Sequence, residues 1–308
     1  VSDLHHISVL LHPDGGSSPV LLLLAPKPGE IVLDVTLGLA GHAMAFSKAI
    51  APTGHLYGLD ADEENLVEAR RRLLPWEKNV TLHHANFGSI ASLGLPAADI
   101  IFADLGLSSP HVDNASRGFT FRENGPLDLR FDRSKGATAA DLLLVTTEEG
   151  IANVLYRYGE IHESRRIARV LFQLIHSSGI TTTHELRDGV TKAMTYRAKQ
   201  FLPQVFQAIR IWINDEMGVL ETLLSLAPAM LRPGGRFGVI SFHSLEDRLV
   251  KQTFRSLCEP EKNPQTGAIS KEAPFELLTK KAVMPDPEEI ARNPRSRSAK
   301  FRVIRRRV

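Results

Sequence analysis

A chain of 308 residues, 43% hydrophobic and 23% charged, has the make-up of a soluble globular protein able to bury one large core or two modest ones. No apolar run approaches the roughly 18 residues needed to span a bilayer, and the opening Val-Ser-Asp-Leu-His-His resembles no signal peptide. The net charge of +2 is too small to argue for nucleic-acid binding, and a single cysteine, Cys258, excludes a disulfide framework or a cysteine-built zinc site. A reducing, cytoplasmic setting is the expectation that follows.

In chain order, Val20 to Ala25 is strand-sized or one turn of helix. Glu30 to Val35 predicts a first strand, then a glycine-bearing turn and a helix from Ala43 to Ala49. His55 to Asp60 predicts a second strand. A helix follows from near Asp62, with Glu63 and Glu64 favouring its positive end, and Pro75 closes it. Val80 to Ala85 and Asp99 to Ala103 predict the third and fourth strands. The pattern then turns helical for about a hundred residues, with Ile167, Ala168, Val170, Leu171, Leu174 and Ile175 on one face. Thr183 or His184 starts another helix. The stretch from Val205 to Leu231 reads as one long helix ended by Arg-Pro-Gly-Gly, and Arg236 to Phe242 as a fifth strand.

Residues 259–274, rich in Pro, Lys, Glu and Gly, predict a mobile loop; Phe275 to Lys280 and Ala299 to Arg305 predict two last, edge-forming strands. The whole predicts an α/β, doubly wound, mostly parallel sheet formed by residues 1–108 and 205–308, interrupted by a helical domain at 109–204.

The turn after the first strand, Asp34-Val-Thr-Leu-Gly38-Leu39-Ala40-Gly41-His42, would let backbone N–H groups approach a ligand at a helix N-terminus. Asp60, at the end of the second strand, stands where an acid accepts from ribose hydroxyls. The pair points to an adenosine-containing cofactor, against the plainer reading of a tight turn and a helix cap. Gly-x-x-Gly is not the Gly-x-Gly-x-x-Gly of dinucleotide sites, which leaves an NAD-type oxidoreductase as runner-up, and no P-loop is present. S-adenosylmethionine carries no phosphate and tolerates the looser loop. Phe87, after the third strand, offers a ring to adenine or simply packs in the core.

The fourth strand breaks at Asp104-Leu-Gly-Leu-Ser108-Ser109-Pro110-His111, a polar turn where chemistry is expected in an open α/β sheet. It is related to turns that hold an exocyclic nucleobase amine for methylation. Such an amine has its lone pair delocalised into the ring, so acceptors for its N–H groups and alignment are the main catalytic requirements. Asp104, Ser108 and Ser109 are suitable acceptors, or equally a capped turn. His243, just past the fifth strand, is a candidate for base contact or proton handling. Asp128 and Arg130 suit substrate or an ion pair, Phe119 and Phe121 a flipped base or the core, and Asn214 needs buried partners. Arg292, Arg295, Arg297, Lys300, Arg302, Arg305, Arg306 and Arg307 form either a phosphate-contacting edge or a solvated tail. His5, His6, His12, His83 and His84 lack metal-ligand spacing, so no metal site is expected.

These motifs together resemble the ribosomal RNA small subunit methyltransferase H family. The resemblance runs from His6-Ile-Ser-Val-Leu-Leu through the 34–42 loop, the Asp104 turn, Arg117-Gly-Phe-Thr-Phe-Arg, Gly125-Pro-Leu-Asp-Leu-Arg130 and Tyr158-Gly-Glu. It continues at Phe206-Gln-Ala-Ile-Arg-Ile-Trp-Ile-Asn214, Pro233-Gly-Gly-Arg236, Ser241-Phe-His-Ser-Leu-Glu-Asp-Arg248 and Asn293-Pro-Arg-Ser-Arg-Ser-Ala-Lys300. It implies a class I S-adenosylmethionine-dependent methyltransferase fold with a helical insert, no membrane association, and methylation of cytosine N4 in the decoding region of 16S ribosomal RNA. Gly38, Ala40, Gly41 and His42 then fall on the cofactor loop, Asp60 on the ribose acid and Phe87 on the adenine-side ring. Asp104 and His111 fall on further cofactor contacts, His111 where the family usually has Gln.

Leu39 and Ala40 replace the middle pair of four glycines usual there, and Ala43 replaces a hydroxyl residue. The stretch from His12 to Pro19 also departs from the family. A side chain forced to positive φ costs on the order of 1 kcal/mol, so these substitutions leave a ribosome-assembly factor with weakened catalysis as an alternative.

Overall fold

The computed structural model describes residues 8–12 and 18–308; His5, His6 and residues 13–17 of the departing stretch lie outside it. The first half of a sheet domain runs α1 (Pro19–Leu24), β1 (Ile31–Asp34), α2 (Gly41–Ile50), β2 (His55–Asp60), α3 (Glu63–Leu73), β3 (Val80–His84) and β4 (Ala98–Asp104). A helical stretch follows: α4 (Ser109–Asp113), α5 (Ala139–Val145), α6 (Glu148–Gly159), α7 (Ser164–Ser177), α8 (Thr183–Met194) and α9 (Ala198–Ile213). The chain ends with α10 (Glu216–Met230), β5 (Leu231–Ser241), α11 (Ser244–Leu257), β6 (Glu261–Lys262), β7 (Ile269–Lys271), β8 (Phe275–Leu277), α12 (Pro287–Arg292) and β9 (Lys300–Arg306). Two compact units result, residues 1–106 with 218–308, and residues 107–217.

In the sheet unit seven strands lie in the order β3-β2-β1-β4-β5-β9-β8. β1 to β5 are parallel, and β9 and β8 join antiparallel. This is the doubly wound, mostly parallel sheet expected. Alternation along each strand makes two cores. Val32, Ile100, Phe102, Phe301 and Val303 face α1, α2 and α3. Leu33, Ile101, Ala103, Val239 and Ile304 face α10 and α11. Side chains of opposite pleat serve opposite faces, so a parallel strand buried on both reads as an unbroken apolar run.

Three details differ from expectation. β5 begins at Leu231, pairs with Ala98, bulges at Pro-Gly-Gly and resumes at Arg236 opposite Ile100. Gly234 takes φ +78° there, and a Cβ on Gly235 would lie 2.8 Å from the Arg232 carbonyl, so small residues make the bulge. Residues 259–274 contain a short antiparallel hairpin, β6 with β7, rather than a bare loop. β9 is an inner strand between β5 and β8, so of the last two strands only β8 lies at an edge. Arg236, 9% exposed, holds Glu30 with both arms at 2.8 Å and binds the Leu24 and Ala25 carbonyls that end α1.

The helical unit is built around Ile167, Leu171, Leu186, Val190, Val205 and Ile209. Capping boxes start α5 (Thr138 with Asp141) and α8 (Thr182 with Glu185), giving these helices sharp beginnings. The expected long helix from Val205 to Leu231 is two helices. It breaks at Asn214–Asp215, where Asp215 takes φ +47°. Asn214 Nδ2 donates to the Arg210 and Leu129 carbonyls, and its Oδ1 accepts from Phe131 N. These bonds hold the end of α9. The helical unit thus extends to 107–217, past the expected 109–204, because Val205, Phe206 and Ile209 of α9 belong to its core.

Candidate active site

The turn after β1 is held by side chains at its base. Thr36 N donates to Asp34 Oδ1 at 3.2 Å, and Thr36 Oγ1 accepts from Asp104 N at 2.6 Å. The β1 and β4 ends are thereby stapled by one hydroxyl. Gly38 N donates to Asp60 Oδ2 at 2.7 Å, while Asp60 Oδ1 accepts from Asp62 N at 2.8 Å and Asn65 Nδ2 at 3.3 Å. Gly38 (φ +51°) and Ala40 (φ +62°) both adopt the left-handed region. A Cβ on Gly38 would meet nothing within 4 Å, so this face of the loop is open to a ligand. Leu39 does not share that conformation. It is buried at 3% exposure and fills the core. Of the two departures from glycine, only Ala40 carries strain.

Three carboxylates converge at the carboxyl ends of adjacent parallel strands: Asp34 on β1, Asp60 on β2, Asp104 on β4. Burial pushes Asp34 up to about 8, helped by the charges of Asp104 and Asp60. Burial also pushes Asp104 up to about 7, with the nearby charge of Glu246 adding and the Gly106 N–H opposing. Asp104 Oδ1 is buried and has no hydrogen-bond partner among the described residues. Its Oδ2 lies 3.7 Å from His42 Nδ1, while His42 Nε2 sits 2.9 Å from the Val9 carbonyl. Phe102 packs beside the imidazole, ring centroids 4.7 Å apart.

His243 is the N-cap of α11. Its Nδ1 accepts from Glu246 N, and Glu246 Oε2 accepts from Phe242 N at 2.8 Å and His243 N at 3.3 Å. The imidazole Nε2 is 3.1 Å from Glu246 Oε1. Phe87 is half-buried against the α10 side of the core, after Asn86, whose Oδ1 accepts from Gly88 N. The sheet unit therefore brings together Gly38, Ala40, Gly41, His42, Asp60 and Asp104 around one strand-end turn.

Several other expected residues belong to the helical unit. Ser108 precedes α4, Ser109 opens it, and Ser108 N donates to His111 Nδ1 at 3.3 Å. His111 is 4% exposed, its ring 5.0 Å from Phe119 and 5.3 Å from Phe131, which themselves stack. Phe119 and Phe121 are core residues, Phe121 against Phe206. Arg130 grips Asp128 with two bonds, 2.7 and 3.0 Å, so the intradomain ion pair is the outcome there. Of the basic C-terminal residues, Lys300 and Arg302 pair with Asp247 and Arg305 with Glu276, so these are not bare cations.

Asp34, Thr36 and Glu246 were not singled out from sequence. Asp34 had a signal, an acid ending an apolar strand. Thr36 and Glu246 had none, because their partners lie 68 residues away in one case and within an N-cap in the other.

The site has features that suit S-adenosylmethionine: an open left-handed turn at a helix start and an acid after β2. Among the described residues no helix is long and apolar enough to cross a membrane. Comparison with known proteins gives a consistent picture. The chain is 42% identical over 311 residues to a ribosomal RNA small subunit methyltransferase H of Syntrophotalea carbinolica, covering 97% of this chain and 98% of that one. It is 40% identical to the protein of that description in Geobacter sp. strain M21, with 99% of each covered, and 41% identical to that of Sorangium cellulosum, with 98% and 90% covered. The model of the MraW methylase family matches residues 3–307, and the chain belongs to that family.

Proposed function

We propose that this protein methylates N4 of a cytosine in the decoding region of small-subunit (16S) ribosomal RNA, using S-adenosylmethionine, in the cytoplasm. The observation that carries the reading is the buried, unpartnered Oδ1 of Asp104 beside the left-handed turn at Gly38–Ala40. Bound S-adenosylmethionine would supply an electrophilic methyl group on a positively charged sulfur. Asp60, already ordered by three donors, presents its carboxylate to ribose hydroxyls, and Phe87 offers a ring face to adenine. The Gly38–His42 turn holds the remainder with backbone N–H groups.

Asp104 Oδ1 accepts an N–H of the cytosine amine, drawing the nitrogen lone pair out of conjugation. Once it carries the methyl group, the amine nitrogen has a proton to release. Asp104, poised at about 7, is matched to receive it near neutral pH. Glu246, held by the backbone of Phe242 and His243, adds its charge to the burial that raises Asp104. His243 is then a positioning residue for Glu246.

The test is incubation with methyl-labelled S-adenosylmethionine and under-methylated small subunits, followed by mass mapping of modified nucleosides. Label in N4-methylcytosine supports the reading, and label on another atom overturns it. Tight subunit binding without label indicates an assembly factor. Calorimetric binding of NAD without S-adenosylmethionine indicates an oxidoreductase.

A further inference from the structure

Val9 and Leu10 have no part in the reaction proposed above, yet both are buried, at 7% and 1% exposure. The C=O of Val9 and the N–H of Leu10 belong to one planar peptide unit and point in opposite directions. The carbonyl accepts from His42 Nε2 at 2.9 Å, and the N–H donates to Glu289 Oε1 at 2.7 Å. Glu289 lies on α12, 279 residues further along the chain. A single amide therefore joins a carboxylate on α12 to the imidazole that faces Asp104.

Both ends of this bridge are shielded from water, Glu289 at 4% exposure and His42 at 6%. A buried carboxylate is costly unless hydrogen-bonded, and its bond to a backbone N–H is charge-assisted. Glu289 is placed by its own helix, where its N–H donates to Oδ1 of the N-cap Asp286 at 2.7 Å. Leu10 holds a left-handed backbone, φ +58°, unfavourable for a residue with a Cβ. It is kept there by a side chain in the core and an N–H committed to Glu289.

We propose that Glu289 is a positioning residue for His42, acting through the Val9–Leu10 amide, and that His42 in turn sets which oxygen of Asp104 meets the reacting amine. Which ring nitrogen of a histidine carries the hydrogen is decided by the bond the other nitrogen makes. The Val9 carbonyl only accepts, so Nε2 is the donor. Hydrogen bonds in a chain polarise one another, so a carboxylate drawing on the N–H strengthens the carbonyl of that amide as an acceptor. Tautomer and ring plane are fixed together. Nδ1 then stands 3.7 Å from Asp104 Oδ2, and Oδ1 is the oxygen left to the amine. Only this last link rests on the function proposed above.

The experiment uses the full chain with isotope-labelled histidine and reads the His42 ring by long-range proton–nitrogen correlation, assigned against His42→Gln. The parent should carry the hydrogen on Nε2 alone. Glu289→Ala should move the ring nitrogens toward the average of the two tautomers. Glu289→Met, which keeps the volume without an oxygen acceptor, should do the same, so lost packing is not mistaken for the lost bond. Glu289→Gln keeps an acceptor and should return them. In methyl-transfer assays on small subunits, the Ala and Met variants should lower kcat roughly tenfold to a hundredfold with KM within about twofold. In a His42→Ala background neither should cost anything further, because the two residues act in one line. A Glu289 that only fastens the N-terminal stretch would lower the melting temperature, leave the His42 resonances in place and lower kcat equally in both backgrounds. That result overturns the inference. Absence of methyl transfer by the parent would instead overturn the function, while the His42 resonances would still decide the link from Glu289 to the imidazole.

Discussion

His42 and Asp104 face one another across 3.7 Å with one ring nitrogen already committed: Nε2 meets the Val9 carbonyl, which can only accept. Nε2 therefore donates its hydrogen to that carbonyl, and Nδ1 is the ring nitrogen on the side of Asp104 Oδ2. Burial raises Asp104 to about 7, so this carboxyl gains or loses its proton near neutrality.

The pH dependence of catalysis follows from that proton. In the proposed reaction only ionised Asp104 can take up the amine's proton. The value of kcat/KM should therefore rise with pH through about 7 and flatten above it. Asp104→Asn should lower kcat by at least about a hundredfold, as the loss of a positioned acceptor does. A pH–rate profile of the parent that is flat from 5 to 9 would refute this.

Stability should run the other way. A carboxyl whose folded value lies above its unfolded one binds more protons when folded, so stability is fully present below about 4 and lost as pH rises to about 7 for Asp104 and about 8 for Asp34. The cofactor-free protein should melt lower at pH 8.5 than at pH 5.5 through these two groups. Asp104→Asn should raise the pH 8.5 melting temperature by roughly 3 °C or more while abolishing activity, a trade of stability for function. Calorimetry at the two pH values measures it.

Ala40 and Leu39 separate cleanly as substitutions. Ala40→Gly relieves a left-handed alanine worth about 1–2 kcal/mol and loses about 0.5–1 kcal/mol to chain entropy, for a small net gain. Cofactor affinity should hold or improve. Leu39→Gly, by contrast, should cost about 3 kcal/mol or more, because it empties a buried core position. Restoring a run of four glycines should therefore harm the fold. Denaturant melts with isothermal titration of S-adenosylmethionine distinguish the two.

Asp60→Ala should raise the S-adenosylmethionine Kd by roughly tenfold to a hundredfold, since it removes the proposed ribose acceptor and releases the Gly38 and Asp62 amides together. Titration calorimetry at constant pH reads it. An unchanged Kd would mean that the carboxylate serves the loop alone.

In the helical unit, Asn214→Ala should destabilise by about 2–3 kcal/mol through three lost hydrogen bonds. Hydrogen exchange should accelerate at Phe131 N in particular.

The strands were legible because buried parallel strands are short apolar runs. The Gly38 turn and Asp60 were legible because their spacing is set by one βα unit. What stayed hidden depends on partners distant in sequence. The Val205–Leu231 period runs through Asn214 without a break, and the bonds of Asn214 to residues 129–131 help to end the helix. His111 read as a cofactor contact, yet its immediate surroundings are set by Phe119 and by Phe131, 20 residues on. The positive φ weighed for Leu39 and Ala40 falls on Ala40 alone.

The helical unit interrupts the chain between two strands that pair side by side, β4 and β5. During folding the sheet cannot join its centre until residues 107–217 have been spanned, an entropic delay that grows with the length of free chain. Helices α6 to α9 pack mainly on one another, so their formation would shorten that span. The insert thus acts as a scaffold in time: slowing its helices should retard closure of the sheet even when the finished sheet is no less stable.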